Sequence, residues 1–594
     1  MKIKHLFGLA VIAAMTASCS SNEDLGTAGP GTGTNEAGVG YATFTINLPT
    51  TSGTRADGDP TFEDGDANEY DVFNATLLVF KKPTTETSEG EYTFVESVDL
   101  GSMQPWKNPN EPGVTTQAKI TAKLSKVDKK AGDYFALVLL NNGSDTDAKV
   151  TLPTDGTTGT TTTYSAWNKA DNANYTNFTD TKKGFYMANA PLYNATDKSV
   201  TTLVAIDKNK IFSTEAQASS GEAAADIYVE RGLAKVTLTA DTKAEKTVGT
   251  SSSYAGDKVT ISKWALDVTN KKTFPIHNVD GLSTDYPNIW KNDAPATTAP
   301  SNPSNQRFVD NNGSTKVKRV YWGTDPNYKE TNLSAETTES KNAREANFNY
   351  IKKEKLTAKP TDPLYCLENT FNVANMLQGQ TTRVVFKGTY TPMSITADAN
   401  GTFYKIGKNV ALWNSADLEK HIAAAVTKVV ADASAVGAST TITLKGSDND
   451  LTAAGNRMLK ASNIKVTKAT GDVVTLQPED VTAINNKLGL SEGYGISTYE
   501  KGESYYIARI KHFGDAQTPW NPGEAYNGDN FKYLGRYGML RNNWYVLDVK
   551  SVSGPGYPDV PDVKPNTPDD EIDKYIKVSV KILSWAKRSQ DVNL

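Results

Sequence analysis

The sequence predicts a mainly β protein with more than one folding unit, and three observations carry that reading. Runs rich in β-branched and aromatic residues recur along the chain between clusters of Gly, Asn, Asp and Pro, the punctuation of antiparallel sandwiches. At 594 residues the chain exceeds what one hydrophobic core usually serves, so roughly two to four units are expected. Hydrophobic residues make up 38% and glycine contributes another 44 positions, a globular composition rather than that of a disordered chain.

Taken in order, the first element is an address. Lys2 and Lys4 precede an apolar run from Leu6 to Ala17, which reads as a signal peptide and is shorter than the roughly 20 residues a membrane-spanning helix needs. The run ends in Met15-Thr16-Ala17-Ser18-Cys19. This resembles the lipobox of bacterial lipoproteins, which implies removal of residues 1–18 and a lipid on Cys19. Thr16 stands where such boxes usually carry Leu, and an ordinary secretory signal cut near Ala17 is the alternative. Residues 20–40, rich in Gly and small polar residues, read as a flexible tether. Their Gly-Pro-Gly-Thr-Gly stretch has no strand before it and no helix after it, so it is not read as a phosphate loop.

Tyr41 to Leu48 alternates apolar and polar residues before Pro49, the pattern of a strand with one buried face. Strand-like runs follow at Val72–Phe80, Tyr134–Leu140, Lys183–Ala188, Ile227–Ala240, Lys258–Val268, Thr382–Tyr390, Ser504–Ile510, Trp544–Val552 and Tyr575–Trp585. One segment differs. Asn414 and Asp417 are spaced as a capping box, and Leu418, Ile422, Val426 and Val429 recur at helical intervals towards Gly437, predicting an inserted surface helix. The small, polar stretch from Ala216 to Ala225 marks the best domain boundary. Residues 280–345, crowded with Thr, Ser, Asn and Pro, read as extended loops.

Charge and reactive residues exclude several functions. Lys and Arg total 63 against 68 Asp and Glu, for a net charge of −5, and no basic block matches a run of phosphates, so no nucleic-acid partner is expected. Four histidines and two cysteines leave little for a metal cluster or a Cys-His pair. No Gly-x-Ser-x-Gly or His-Glu-x-x-His motif occurs, and no catalytic site, metal or cofactor is assigned. Cys366, between Tyr365 and Leu367, reads as a buried small hydrophobe. Asp57 to Asp71 is densely acidic. Its Asp64-x-Asp66-x-Asn68 start resembles a calcium loop, but Glu69 occupies the glycine position, so a solvated acidic segment is expected.

Four segments resemble the type V pilus fimbrillins of Bacteroidales-type bacteria, nearest the short-fimbria major-subunit branch. They are Tyr228-Val-Glu-Arg-Gly-Leu-Ala-Lys-Val236, Tyr365-Cys-Leu-Glu-Asn-Thr-Phe371 with the strand after Thr381, Gly535-Arg-Tyr-Gly-Met-Leu-Arg-Asn-Asn-Trp-Tyr-Val-Leu-Asp548 leading into Ser553-Gly-Pro-Gly556, and Ile582-Leu-Ser-Trp-Ala-Lys-Arg-Ser-Gln590. The resemblance implies two transthyretin-like β-sandwich domains in series, at 56–226 and 227–570, the second carrying the helix and loop insertions. It also implies a lipidated propeptide at 19–55, trimming by an Arg-specific surface protease, and an extended donor-strand tail at 571–594. The protein so implied is a structural, non-enzymatic shaft subunit of a cell-surface fimbrium that supports adhesion and biofilm formation. Its expected partners are copies of itself, anchor and tip subunits, the outer membrane through the precursor lipid, and host or bacterial receptors.

Elementary physics supports the two site assignments. A sandwich missing a strand presents unpaired backbone groups along an apolar groove, a template for a strand from another chain. Ile576, Val578, Val580 and Ile582 alternate on one face, and the phase then slips to Leu583 and Trp585, which predicts a bulge or a change of face. Pro558, Pro561, Pro565 and Pro568 are expected to hold this tail away from the body; the alternative is a last native strand of the second domain. Arg55-Ala56 lies among small polar residues, an exposed and cuttable loop, and cleavage there would remove the lipid, the tether and the Tyr41 strand together. An uncut loop arginine is the alternative. Rival functions are an anchor or tip subunit, or a surface glycan-binding lipoprotein using Tyr321-Trp322 and Trp520 as platforms.

Overall fold

The computed structural model describes residues 38–47, 69–85, 88–103, 117–128, 130–155, 162–194, 196, 199–282, 308, 317–513, 515, 518, 520, 533–570, 576–584 and 590–591. The chain is mainly β. Strands β1 (Gly40–Asn47), β2 (Ala75–Lys81), β3 (Thr93–Gly101), β4 (Gln117–Leu124), β5 (Tyr134–Leu140), β6 (Met187–Asn189) and β7 (Ala225–Arg231) build the first sheet in the order β3-β2-β5-β6-β7-β1-β4. β2 and β5 are apolar on both faces because both faces are covered. Leu77, Val79, Ala136 and Val138 point into one core cluster, while Leu78, Phe80, Leu137 and Leu139 point into another that holds Trp167, Phe178 and Tyr186. The sheet curls until its ends meet. The Glu96 carboxylate of β3 accepts from the amides of Ser125 and Lys126, just past β4, at 2.9–3.1 Å, satisfying donors at the end of a sheet edge.

Two further sheets face each other in the second half. One orders β10 (Leu364–Leu367), β8 (Leu233–Leu238), β13 (Asn543–Val552), β14 (Ile576–Ser584) and the pair Gln590–Asp591; the other orders Lys246–Thr247, β9 (Lys258–Asp267), β11 (Arg383–Thr391) and β12 (Glu503–Arg509). Their inner faces meet in one cluster that includes Val236, Phe386, Tyr506, Tyr545, Leu547, Val578 and Val580, the interdigitated layer expected between packed sheets.

The run read as a single strand from Ile227 to Ala240 is two. β7 pairs with β1 and β6, and β8 pairs with β10 and β13, so sheet membership changes at Gly232 rather than at 226–227. A side chain at Gly232 would sit 2.6 Å from the Phe178 ring, and only glycine lets the chain cross between the sheets there. β3, β4 and β10 were not among the strands expected from sequence.

The inserted helix is α2 (Ser415–Val429), α1 being Glu215–Ser220. The Asn414 side chain accepts from the Asp417 amide at 2.9 Å, the cap its spacing predicts. α2 is more than a surface helix. Leu418, Ile422, Ala425 and Val426 pack with Leu444, Val466, Ile484 and Ile496 into a core of their own, carried by the long excursion between the neighbouring strands β11 and β12. Residues 280–345 likewise hold more than loops. Thr338–Asn347 is helical, Val317–Arg319 pairs with Leu192–Asn194, and Tyr321 and Trp322 are buried with Phe513, Tyr533 and Tyr537.

Candidate strand-exchange site

β1 is the N-terminal strand of the described structure, yet it lies inside its sheet. It runs antiparallel to β4 from Gly40↔Leu124 to Asn47↔Gln117, and parallel to β7 from Phe44↔Ala225 to Asn47↔Tyr228. Ala42, Phe44 and Ile46 are fully buried in the first core, as the alternation predicts. The opposite face is covered as well: Thr43 Oγ1 donates to the Ala218 carbonyl of α1 at 2.8 Å and lies 2.7 Å from Thr121 Oγ1. Tyr41 exchanges two backbone hydrogen bonds with Phe212, both 2.8 Å. Loss of β1 would therefore open a slot with two unpaired ladder edges and an apolar floor.

The tail does not stand away from the body. β14 pairs antiparallel with β13 along its whole length, with Ile582 opposite Tyr545, Val580 opposite Leu547 and Val578 opposite Val549. Val578 and Val580 are 6% and 2% exposed. The expectation of a tail unpaired in its own subunit is thus corrected: β13 has an open edge in its own sheet, and β14 closes it. Of the bulge or change of face expected after Ile582, the bulge is absent as far as Ser584. Pairing runs on through Leu583 and Ser584, and the irregularity lies between Val549 and Ser551 at the other end.

The proline-rich segment is strapped down for a reason its composition supplies. Prolines donate no backbone hydrogen bond, but the segment's carbonyls and carboxylates accept, and the body offers buried guanidinium groups. Arg536 makes a two-pronged contact with Asp570 at 2.7 and 2.8 Å, and Tyr537 adds its hydroxyl at 2.8 Å. Arg383 donates to the Pro561 carbonyl at 2.7 Å, the Gln378 amide donates to Thr567 at 2.9 Å, and Thr381 donates to the Asp569 carboxylate.

At the other end of the 48–68 segment, Glu69 itself departs from the solvated reading of the acidic stretch, whose residues 57–68 lie outside the described residues. It is fully buried. Its carboxylate lies 2.6 Å from Lys235 Nζ and accepts from the Tyr365 hydroxyl at 2.8 Å. Its carbonyl accepts from Arg231 at 3.1 and 3.2 Å, and Lys235 Nζ sits 3.9 Å from the centre of the Trp544 ring. This cluster ties the chain just before β2 to β8 and β10 of the second half. Composition hid it, because one buried glutamate among many acids carries no separate signal.

Cys19, Arg55, Ala56 and Trp585 lie outside the described residues, as does the Asp64–Asn68 stretch. Burial pushes the Cys366 thiol up to about 12, which removes its nucleophilic form at neutral pH. The histidines sit in separate places: His277 Nδ1 is 2.7 Å from Glu230, His512 Nδ1 is 2.8 Å from the Tyr545 hydroxyl, and His421 packs on Trp413. Among the described residues no group of three or more His, Cys, Asp or Glu is arranged to hold a metal ion. Trp322 is 1% exposed and Tyr321 6%, and Trp520 packs against the same cluster, so none of them is an open platform for a sugar.

The fold defines a mainly β protein of packed sheets. Residues 497–591, spanning β12 to β14, match the family model described as major fimbrial subunit protein type IV, fimbrillin, C-terminal. No curated protein matches the sequence. The chain is similar to a solved protein of Parabacteroides distasonis ATCC 8503 provisionally assigned to cell adhesion, at 10% identity and a TM-score of 0.36, covering 92% of this chain and 98% of that one. A similarly assigned protein of Bacteroides eggerthii DSM 20697 shares 12% identity at a TM-score of 0.31, covering 94% and 98%. A fimbrial assembly protein of Parabacteroides distasonis ATCC 8503 shares 12% identity at a TM-score of 0.23, covering 63% and 93%.

Proposed function

We propose that this fimbrial subunit forms the shaft of a surface fimbria of the type V, short-fimbria kind. In this reading the precursor is lipidated on Cys19, cut between Arg55 and Ala56, and polymerised when the C-terminal strand of one copy enters the slot vacated by β1 in the next. The observation that carries it is the place of β1. The strand lies on the N-terminal side of Arg55 in the chain, yet is an inner member of its sheet, so one cut in the 48–68 segment would free both edges of a groove.

The donor fits by length and pattern. β1 has 8 residues and β14 has 9, and both alternate apolar residues with period two. In its own subunit β14 has β13 on one edge and, among the described residues, only the short Gln590–Asp591 pair on the other. In the slot it would be laddered by β4 along the eight positions β1 uses and by β7 along four of them, which supplies a partner on both edges once the slot is open. The buried Glu69–Lys235 contact would hold the new N-terminal region to the body after the cut. Anchor and tip subunits, an Arg-specific protease, surface receptors and a part in biofilm formation belong to the same reading.

The test is N-terminal sequencing of subunits from purified filaments, beside an Arg55→Ala variant. Subunits are expected to begin at Ala56, and the variant to accumulate as monomer. Filament subunits that retain residues 20–50 would reject the groove-opening mechanism.

A further inference from the structure

One cavity of about 310 Å³ lies at an end of the first sheet, where the chain entering β2, the loop leaving β5 and residues 174–184 come together. Its backbone is unusually constrained. Asn141, Gly143, Asp145 and Gly184 all have positive φ, between 49° and 85°, and such residues gather where a ligand is clamped. Asn141 staples the three segments: it accepts from the Phe73 amide at 2.7 Å and donates to the carbonyls of Asp71 and Phe185 at 2.7 and 2.8 Å. A side chain on Gly184 would collide with that staple, and one on Gly143 would meet the Asp147 carbonyl at 2.6 Å.

The lining combines one aromatic with convergent polar groups. Phe73 is 46% exposed at the rim, an uncommon place for a phenylalanine ring, whereas Lys149 is 4% exposed. The Lys149 ammonium donates to the Gly184 carbonyl at 2.5 Å; Asp180, which also lines the cavity, acts on it electrostatically from beyond ion-pair range. Burial pushes it down to about 8. The nearby Asp147 is already paired with Lys183. Asn74 spends its carbonyl on the Gly143 amide, and Asn177 spends its NH₂ on the carbonyls of Thr146 and Ala148, which leaves the Asn74 NH₂ and the Asn177 carbonyl for a ligand. A ring face, a buried cation with no carboxylate in ion-pair contact among the described residues, and a free donor and acceptor together describe an acidic sugar.

We propose that this cavity binds one carboxylate-bearing sugar residue, uronic or sialic in type, with its ring against Phe73 and its carboxylate against Lys149. The site is complete within one subunit, so it does not depend on how subunits polymerise. In a filament it would recur once per copy.

Saturation-transfer NMR on the full chain tests this with methyl glucuronoside, N-acetylneuraminic acid, methyl glucoside and acetate. At least one acidic sugar is expected to bind at least about tenfold more tightly than the glucoside, since an unpaired buried charge costs more than that factor. Acetate alone, lacking a ring, is expected not to bind. Phe73→Ala, at an exposed position, should weaken binding at least about tenfold with unchanged melting, and Lys149→Met should abolish the preference for acid over neutral sugar. No binding of either acidic sugar, equal binding of the glucoside, binding of acetate, or binding that survives Phe73→Ala would each overturn the proposal.

Discussion

Truncation after Asp570 removes β14 and tests whether the tail supports its own subunit. Val578 and Val580 are 6% and 2% exposed and belong to the core between the two sheets of the second half. Fully burying a valine is worth roughly 1.5–3 kcal/mol, so the pair contributes about 3–6 kcal/mol before any loss of the ladder with β13 is counted. Against a domain margin of roughly 5–15 kcal/mol this is a large share, and it corresponds to a fall in melting temperature on the order of 10 °C for a cooperative unit of roughly 150–250 residues. Differential scanning calorimetry of the Arg55→Ala monomer, with and without residues 571–594, measures it. Val580→Asp in the full tail should reproduce most of the loss, whereas Val436→Ser, at a position 98% exposed, should change nothing. A truncated chain that melts within a degree or two of the full one would refute the reasoning, and would mean that β14 contributes nothing to its own core.

Removing the charge of Glu69 with Glu69→Gln should destabilise by roughly 3–5 kcal/mol in urea unfolding, since it strands a buried Lys235, while Glu69→Leu combined with Lys235→Met should recover most of that loss. Asp325 accepts from the Thr370 and Asn327 amides and from Asn270 at 2.6–2.7 Å, yet burial outweighs these bonds and raises its carboxyl from 3.8 to about 7. A raised acid binds its proton more tightly when folded. The stabilisation is full below about pH 4 and is lost as pH rises to about 7, with a slope of up to ~1.4 kcal/mol per unit; urea midpoints against pH should show the decline, and Asp325→Asn should flatten it. Cys366 should resist iodoacetamide at pH 8 in the native chain and react fully in denaturant, as followed by intact-mass spectrometry.

What was readable in the sequence is what depends on nearest neighbours along the chain. Period-two alternation located β1 and β14, and β-branched and aromatic runs between turn clusters located β5, β9, β11, β12 and β13, each to within a residue or two. Asn414 marked the start of α2 because a cap is a contact three residues long. The exclusions of catalytic motifs and of a basic surface needed only composition and spacing. The fimbrillin resemblance belongs here too, since its C-terminal segments fall within the matched 497–591 region.

Partners far apart in sequence were beyond that reach. Alternation says that Tyr41 to Leu48 has a buried face, but not that it lies between β4 and β7, some 75 and 180 positions away in the register pairs Phe44↔Ile120 and Phe44↔Ala225. Prolines forecast a backbone that cannot enter a sheet interior, and residues 554–570 form no strand, only the isolated bridges Tyr505↔Tyr557 and Leu377↔Pro568. They are nevertheless held against the body, because Arg383 and Arg536 find acceptors there that no local pattern announces. Glu69 looked like one more surface acid until Lys235 and Tyr365 closed around it. Gly232 read as part of a continuous strand until the Phe178 ring lay against it. Whether a polar side chain is solvated or locked depends on which distant strand the sheet order brings beside it, and a period along the chain carries no information about that order. Tertiary structure alone decided those pairings.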